Sequence, residues 1–350
     1  MTFEDRKKNY KSLILISIVV LLLLILSTIA FGAANITLED SLNIILSKIP
    51  ILKRFSNMQN ISSAHAAILL NIRLPRILLS CIVGMGLSIV GAVYQGIFNN
   101  PMADPYVLGI SSGAALGAAI AIVFHVESMF LGISGVAFSA FLFSILTTLV
   151  VYNIARVGNK APTVNLLLAG VAVSFFLSSL ISIIMILNRN ELDKIVFWTM
   201  GSLSAANWKQ VIFLFVVTVP LFLVMLFFSR DINIILLGDD SAKSLGINVE
   251  LVKKIMLLIS SVLIASIVSV SGIIGFVGLI IPHIVKLLIG SDHRILIPFS
   301  AIIGACFMLL SDTLARTLLA PTEIPVGAIT SLFGAPYFIY LLYKTKKRVL

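Results

Sequence analysis

Zinc binding by histidines and phosphate binding by a glycine-rich loop are the chemical functions for which this sequence has candidate residues. A His-Glu-x-x-His pair would bind zinc, and a G-x-x-x-x-G-K-[ST] loop would cradle phosphates. The histidines lack that spacing and stand apart, at His65, His125, His283 and His293. Residues 238–244 read GDDSAKS, but Ala242 replaces the second glycine and two aspartates would repel phosphate. We therefore predict a chain that is not an enzyme and has no catalytic residue, metal or cofactor of its own.

The same segment contains residues that commonly begin and end short helices. Asp231 could cap a helix that Gly238 ends, and Asp239 or the aspartate after it could cap a second helix ended by Gly246. Aspartate at the N-cap and glycine just past the C-terminus are common helix signals. Two short helices within residues 230–253 would form a rigid docking surface, whereas the alternative is an ordinary solvated loop.

Three arginines lie at the ends of apolar runs. Arg73 and Arg76, in the sequence IRLPR, come just before one run, and Arg316 lies near the end of a later one. Long basic side chains at such positions often extend to lipid headgroups. Interfacial snorkelling is therefore one interpretation of all three.

Membrane-spanning helices are the elements that must position these residues. The 350-residue chain is 59% hydrophobic and 11% charged, whereas soluble domains carry about 25% charged residues. Its apolar runs are continuous rather than alternating, which favours helices over a β-barrel. We predict an all-α integral membrane protein, a single transmembrane domain over residues 1–350, with about ten spans. The runs cover residues 12–32, 77–98, 106–125, 130–154, 163–187, 209–229, 254–273, 275–290, 295–318 and 324–343.

The basic residues predict the orientation of these spans. If the N-terminus is cytoplasmic, 16 of the 25 lysines and arginines fall on the inner side. Because basic residues accumulate in cytoplasmic loops, this bias predicts that both termini are cytoplasmic. The net charge of +10 is spread between the spans, and we therefore do not interpret it as a nucleic-acid surface.

Glycines mark places where spans could approach closely. Gly109, Gly113 and Gly117 fall on one helix face, and a looser set occupies residues 272–278. Small residues let helix backbones pack closely in lipid. Packing is the simpler interpretation; a flexible point in a transport path is the alternative.

Ordered motifs over residues 73–343 give the chain a resemblance to a known family. It resembles the FecCD-like permeases of type II ABC importers, which carry iron–siderophores, haem and cobalamin. The matching segments are RLPR at 73–76, GAVYQGIFNNPMADPYVLGISSGAALGA at 91–118, LLLAGVAV at 166–173, LGDDSAKSLGI at 237–247, SGIIGFVGLIIPHIVKLLIGSDHRILIP at 271–298, SDTLAR at 311–316 and EIPVGAITSLFGAPYFIYLL at 323–342.

The resemblance implies a multi-pass protein of the cell membrane and a defined set of partners. It implies a second permease subunit in a homodimer or close heterodimer, with the substrate path along the two-fold axis. It also implies two cytoplasmic ATPase subunits, which hold ATP and magnesium, and an external substrate-binding protein.

The resemblance also assigns roles to particular residues. The loop helices would contact the ATPase, through Gly238, Asp239, Asp240, Ser241, Ala242, Leu245 and Gly246. By similarity to the cobalamin importer, Arg73, Arg76 and Arg316 would pair with glutamates of the binding protein. Such charge pairs fix register and speed encounter more than they add affinity.

The fifth span is the expected wall of the pathway. The resemblance places an inner gate at Thr163 and Val164, where Val164 replaces a hydroxyl residue of the cobalamin importer; an apolar constriction could still close a path by dewetting. Further along lie Asn165, Ser174, Ser178 and Ser182, whose serines are four apart and share a helix face. Hydrogen bonding between packed helices is the alternative role for the serines.

Other classes of transporter fit the sequence less well. An ion-gradient-driven transporter would favour acidic residues within the spans, yet Asp312 is the principal one and lies near an outer end. An iron–siderophore complex is the expected cargo of an importer of this family, with haem or cobalamin as alternatives.

Overall fold

The structure is a computed structural model that describes residues 3–32, 36–48, 54, 61–126, 129–130, 133–158 and 160–349. Its regular elements are helices, apart from a two-residue antiparallel pair, β1 (Met129–Phe130) with β2 (Ile133–Ser134). The α-helices are α1 (Phe3–Ala30), α2 (Leu38–Lys48), α3 (Ser63–Ile68), α4 (Leu74–Ile97), α5 (Ile110–Val123), α6 (Gly135–Ala155), α7 (Thr163–Leu187), α8 (Leu192–Thr199), α9 (Trp208–Phe227), α10 (Ser229–Ile235), α11 (Asp239–Ser244), α12 (Val249–Ser271), α13 (Val277–Ile289), α14 (His293–Thr317) and α15 (Val326–Val349).

The apolar helices confirm an all-α membrane protein. Within the described residues, seven helical segments are long and apolar enough to cross a bilayer. Three shorter apolar helices, α5, α13 and the apolar part of α15, occupy the other predicted runs. Together they match the predicted positions of about ten spans. The end of α12 before Gly272 (φ 65°) and the start of α13 at Val277 also confirm that the predicted runs 254–273 and 275–290 are separate helices.

Several short elements were not predicted from the apolar runs. They are α2, α3, α8 and a π-helical turn, Leu69–Arg73, that leads directly into α4. The α2 helix carries Glu39 and Asp40 in its first turn and Lys48 in its last. A search for spans of about 20 apolar residues misses helices that are short and partly charged.

Helix α4 forms the centre of the bundle. It packs against α14, α13, α9 and α12, and most of its residues are buried. Gly84 faces Gly304 of α14, and Gly91 faces Gly278 of α13, so a Cβ at either position would clash with a carbonyl oxygen. The predicted packing role of the glycine stripe is also confirmed, because Gly113 and Gly117 of α5 lie directly against α6.

Replacing Gly91 with alanine is expected to destabilise the protein. The added methyl group would meet the Gly278 carbonyl, which belongs to backbone and cannot rotate away. Overpacking of this kind costs about 1–3 kcal/mol. The matched control is Gly275→Ala, since a Cβ there meets no atom within 4 Å. We expect a lower thermal unfolding midpoint in detergent for Gly91→Ala than for Gly275→Ala, and equal midpoints would contradict the close packing.

Candidate functional site

A knob formed by residues 229–246 lies at the end of the bundle that the charge bias places in the cytoplasm. It consists of α10 and α11 and packs on the inner ends of α4, α12 and α14. The prediction of two short helices is confirmed, and so are their glycine stops, since Gly238 and Gly246 have φ values of 109° and 84°. These left-handed conformations favour glycine because it has no Cβ.

The predicted aspartate caps of the knob helices are wrong. Phe228 and Gly238 occupy the N-cap positions, and Asp231, Asp239 and the following Asp240 lie in the first turns. Carboxylates there still interact favourably with the helix dipole. Asp239 has a further partner, because the Nζ of Lys253 on α12 lies 2.7 Å from its Oδ2. This ion pair ties α11 to the inner end of a long helix.

Two leucines are exposed on the surface of the knob. Leu237 and Leu245 are 69% and 64% exposed, and Ser241 is exposed beside them. Ala242 is fully buried and belongs to the hydrophobic core, so the expectation that its side chain touches a partner is wrong for this conformation. Leu237 is an unpredicted member of this surface, although an apolar residue in a polar cytoplasmic loop is a detectable signal.

A cluster of five charged residues lies at the opposite, outer end of the bundle. Arg76 lies between two carboxylates: its Nε donates to both oxygens of Asp312 (3.0 and 3.1 Å), and its Nη1 donates to both oxygens of Glu323 (2.8 and 2.9 Å). The Asp312 side chain is fully buried, whereas that of Glu323 is 41% exposed. We call Arg73, Arg76, Asp312, Arg316 and Glu323 the outer charge cluster.

The other two arginines of the cluster hold the end of α1. Arg73 Nη1 donates to the carbonyl oxygens of Ile29 and Ala30, and Arg316 Nη2 donates to that of Thr28. Carbonyl groups in the last turn of a helix have no partner within the helix, and cations there are stabilising. Ile29 of α1 is also buried in an apolar cluster with Ile77 and Leu309, so the two guanidinium groups add polar links to an apolar contact at the outer end.

All three arginines are buried inside the outer end of the bundle. Arg73, Arg76 and Arg316 are each less than 8% exposed, so snorkelling to headgroups is wrong for all three. In this conformation they are engaged within the chain. Their docking to glutamates of a binding protein stays a prediction, and it requires Glu323 or a backbone carbonyl to be exchanged for a partner's carboxylate. Because the carboxylate of Asp312 already pairs with Arg76, it is poorly suited to bind a transported ion.

Helix α7 exposes most of its surface to the outside of the subunit. Val164 is 65% and Phe175 is 72% exposed, and Ser178 and Ser182 lie on exposed positions. The Ser182 hydroxyl donates to the carbonyl of Ser178 within the same helix (3.0 Å), not to a neighbouring helix. Both the gate and the pathway wall stay predictions that a second subunit would complete.

The start of α7 borders a shallow cavity at the inner end. The residues that line it belong to five segments: Phe98, Tyr152, Ala161, Thr163, Leu166, Glu250, Lys253, Lys254 and Leu257. The predicted gate residue Thr163 therefore lies beside charged groups of α12, whereas Val164 next to it points elsewhere. The polar amide of Asn165 donates to the carbonyl of Ala155 (3.4 Å), which fixes the turn between α6 and α7.

A polar junction below the knob was not predicted from the sequence. Asn233 of α10 hydrogen-bonds to Asp292 and to the backbone of His293, which begins α14. Burial favours a protonated Asp292, but hydrogen bonds from Arg294 and Asn233 hold the pKa of its carboxyl below the ordinary value. Asn233 and Asp292 are 59 positions apart, and no local pattern marks their meeting.

Comparison with known proteins gives the same picture over the full length. The model of the FecCD transport family matches residues 18–344. A hemin transport permease of Yersinia pestis is 39% identical over 93% of this chain and 95% of that protein. An iron(3+)-hydroxamate import permease of Bacillus subtilis is 38% identical over 92% and 97%, and a cobalamin import permease of Halobacterium salinarum is 44% identical over 80% and 74%.

One solved structure also resembles the chain closely. It is an inward-facing conformation of an ABC transporter described as metal-chelate type. The likeness has a TM-score of 0.81 with 32% sequence identity and covers 95% of this chain and 99% of that one.

Proposed function

The chain belongs to the FecCD transport family and is the permease subunit of a type II ABC importer, and we propose that its cargo is an iron–siderophore complex. It is a transport subunit rather than an enzyme, and a multi-pass protein of the cell membrane. The coarser cargo class is a metal chelate, haem, cobalamin or siderophore.

The relatives support an iron-containing cargo. Those named for hemin and for iron(3+)-hydroxamate match more than nine-tenths of both chains, and both names specify iron held by an organic ligand. The relative named for cobalamin matches a shorter stretch. Haem, which also contains iron, and cobalamin are the alternative cargoes.

The exposed surfaces support the proposed assembly. A second permease copy would cover the apolar face of α7, two ATPase subunits would dock on the knobs, and a binding protein would meet the outer charge cluster. Leu237 and Leu245 provide apolar contact area for the ATPase. The three arginines of the cluster are buried, so docking there requires them to exchange a partner within the chain for a carboxylate of the binding protein; the cluster's excess of one positive charge favours such an acidic partner.

Uptake by cells lacking this chain tests the cargo. We expect deletion to abolish accumulation of a radiolabelled iron(3+)–hydroxamate complex and reintroduction of the chain to restore it. Labelled hemin and cobalamin, measured in the same cells, are the comparison. Restoration of either of those alone, with unchanged iron–siderophore uptake, would overturn the proposed cargo and identify the alternative.

The energy source separates this importer from a gradient-driven transporter. We expect uptake to stop when arsenate lowers ATP while the proton gradient is maintained. Uptake that instead follows the gradient, and continues without ATP, would favour a secondary transporter.

A further inference from the structure

The polar junction below the knob joins three elements that are distant in sequence. The Nδ2 of Asn233 on α10 donates to Asp292 Oδ1 at 2.7 Å, and its Oδ1 accepts from the backbone N–H of His293 at 2.8 Å. These two bonds fix which way the amide points, because neither neighbour can exchange its donor or acceptor role. Asn233 therefore attaches α10 to the first turn of α14.

The His293 ring extends the junction to α4. Its Nδ1 lies 3.0 Å from Asn233 Oδ1, and its Nε2 lies 3.2 Å from the carbonyl oxygen of Ala92. Gly96 makes this approach possible, since a Cβ there would lie 2.6 Å from Nε2 and 2.5 Å from Ile232 of α10. His293 is 2% exposed, so water does not compete with these contacts.

The two helices reached by the junction also meet at the opposite end of the bundle. There Arg76 of α4 pairs with Asp312 of α14, and along their length Gly84 packs on Gly304. The antiparallel pair α4–α14 is thus fastened at its inner end, middle and outer end. The two helices are therefore joined at three levels, and α10 is attached to their inner end.

From this geometry we infer that Asn233 is a positioning residue that transmits movement of the knob to the α4–α14 pair. A partner changes a conformational equilibrium only through contacts that differ between the states. Movement of α11 by an ATPase has two routes to the spans: directly to α12 through the Asp239–Lys253 ion pair, and through α10, where Asn233 makes the polar link to α14. The inference rests on the proposed ATP-driven import.

Coupling between ATP hydrolysis and transport tests this role. Asn233→Ala removes the donor to Asp292 and the acceptor for His293, but leaves Leu237 and Leu245 in place. We expect ATPase assembly and hydrolysis to persist in proteoliposomes of the full complex, while cargo molecules moved per ATP fall about tenfold, within the 5–150-fold range of coupling between sites.

A charge-preserving exchange separates transmission from a general loss of structure. Asn233→Asp alone places two carboxylates against each other and should uncouple at least as strongly as alanine. Asn233→Asp with Asp292→Asn reverses the donor and acceptor and keeps an acceptor for His293. It gives up only the ion pair of Asp292 with the half-exposed Arg294, which contributes about 0–1 kcal/mol, so we expect it to recover transport per ATP to within about threefold. The matched control is Asn153→Ala, whose amide donates only within α6.

Each outcome distinguishes the two proposals. Wild-type complex that hydrolyses ATP without importing cargo would contradict the proposed function itself. A wild-type complex that imports, together with an assembled Asn233→Ala complex at the wild-type ratio, would overturn only the inference. If the Asn233→Ala complex does not assemble, the double variant provides the test. An assembled double variant that transports no more cargo per ATP than Asn233→Asp would overturn the inference.

Discussion

Replacing Asp312 with asparagine is expected to destabilise the protein strongly. The carboxylate is fully buried, accepts from Arg76 and lies 3.9 Å from Arg316. Asparagine keeps the volume but removes the negative charge, which leaves two buried guanidinium groups to share the exposed Glu323. Breaking a buried ion pair by removing one partner costs about 3–5 kcal/mol.

The other carboxylate of the cluster provides the matched control. Glu323→Gln removes the second carboxylate that pairs with Arg76. Glu323 is 41% exposed, however, and exposed ion pairs contribute about 0–1 kcal/mol to stability. We expect a large drop in the thermal unfolding midpoint in detergent for Asp312→Asn and a small one for Glu323→Gln. Similar drops in the unfolding midpoint for both variants would show that burial of the carboxylate does not determine the cost of removing its charge.

A double variant identifies the cause of that loss. Asp312→Leu alone leaves Arg76 without its buried partner, whereas Asp312→Leu with Arg76→Met removes both charges. Well-packed apolar replacements of a buried ion pair are often neutral, and we therefore expect the double variant to be more stable than the single one. The opposite order would assign the loss to packing around α14 instead.

Replacing Leu245 with glutamate is expected to abolish transport without unfolding the chain. Leu245 is 64% exposed on the knob and follows the end of α11, so the folded subunit can solvate a carboxylate there. If the ATPase covers this position, the change buries an unpaired charge, which costs roughly 2–5 kcal/mol. That corresponds to a Kd at least about thirtyfold higher.

Two measurements check this result against a matched control. We expect Leu245→Glu, and likewise Leu237→Glu, to lower the amount of ATPase that co-purifies with the permease and to stop ATP-driven uptake. The control is Leu319→Glu, the same change at a 61% exposed leucine of the outer loop, which should leave ATPase assembly intact. Full assembly and uptake with Leu245→Glu would place the ATPase contact elsewhere on the inner face.

The knob shows which features of short helices can be predicted from local sequence. Its two helices and their glycine ends were predictable, because glycine at a left-handed position is a strong local signal. The caps were not, because aspartate can stabilise a helix from either the N-cap or the first turn. The burial of Ala242 depends on how α11 sits against α10 and α12, and no residue near it in sequence reports that contact.

The amino-acid sequence by itself determined the class of protein, the positions of about ten apolar helices and the family, because hydrophobic runs and ordered motifs are local properties of a chain. Tertiary structure decided what the charged residues do. Arg76 stands 236 positions from Asp312 and 247 from Glu323, and Asn233 stands 60 from His293. In sequence Arg76 lies at a helix end, where an arginine can reach lipid, a partner protein or a buried carboxylate. Only the packing of α14 against α4, through facing glycines, places Asp312 beside it, and pairing there offsets the cost of burying both charges.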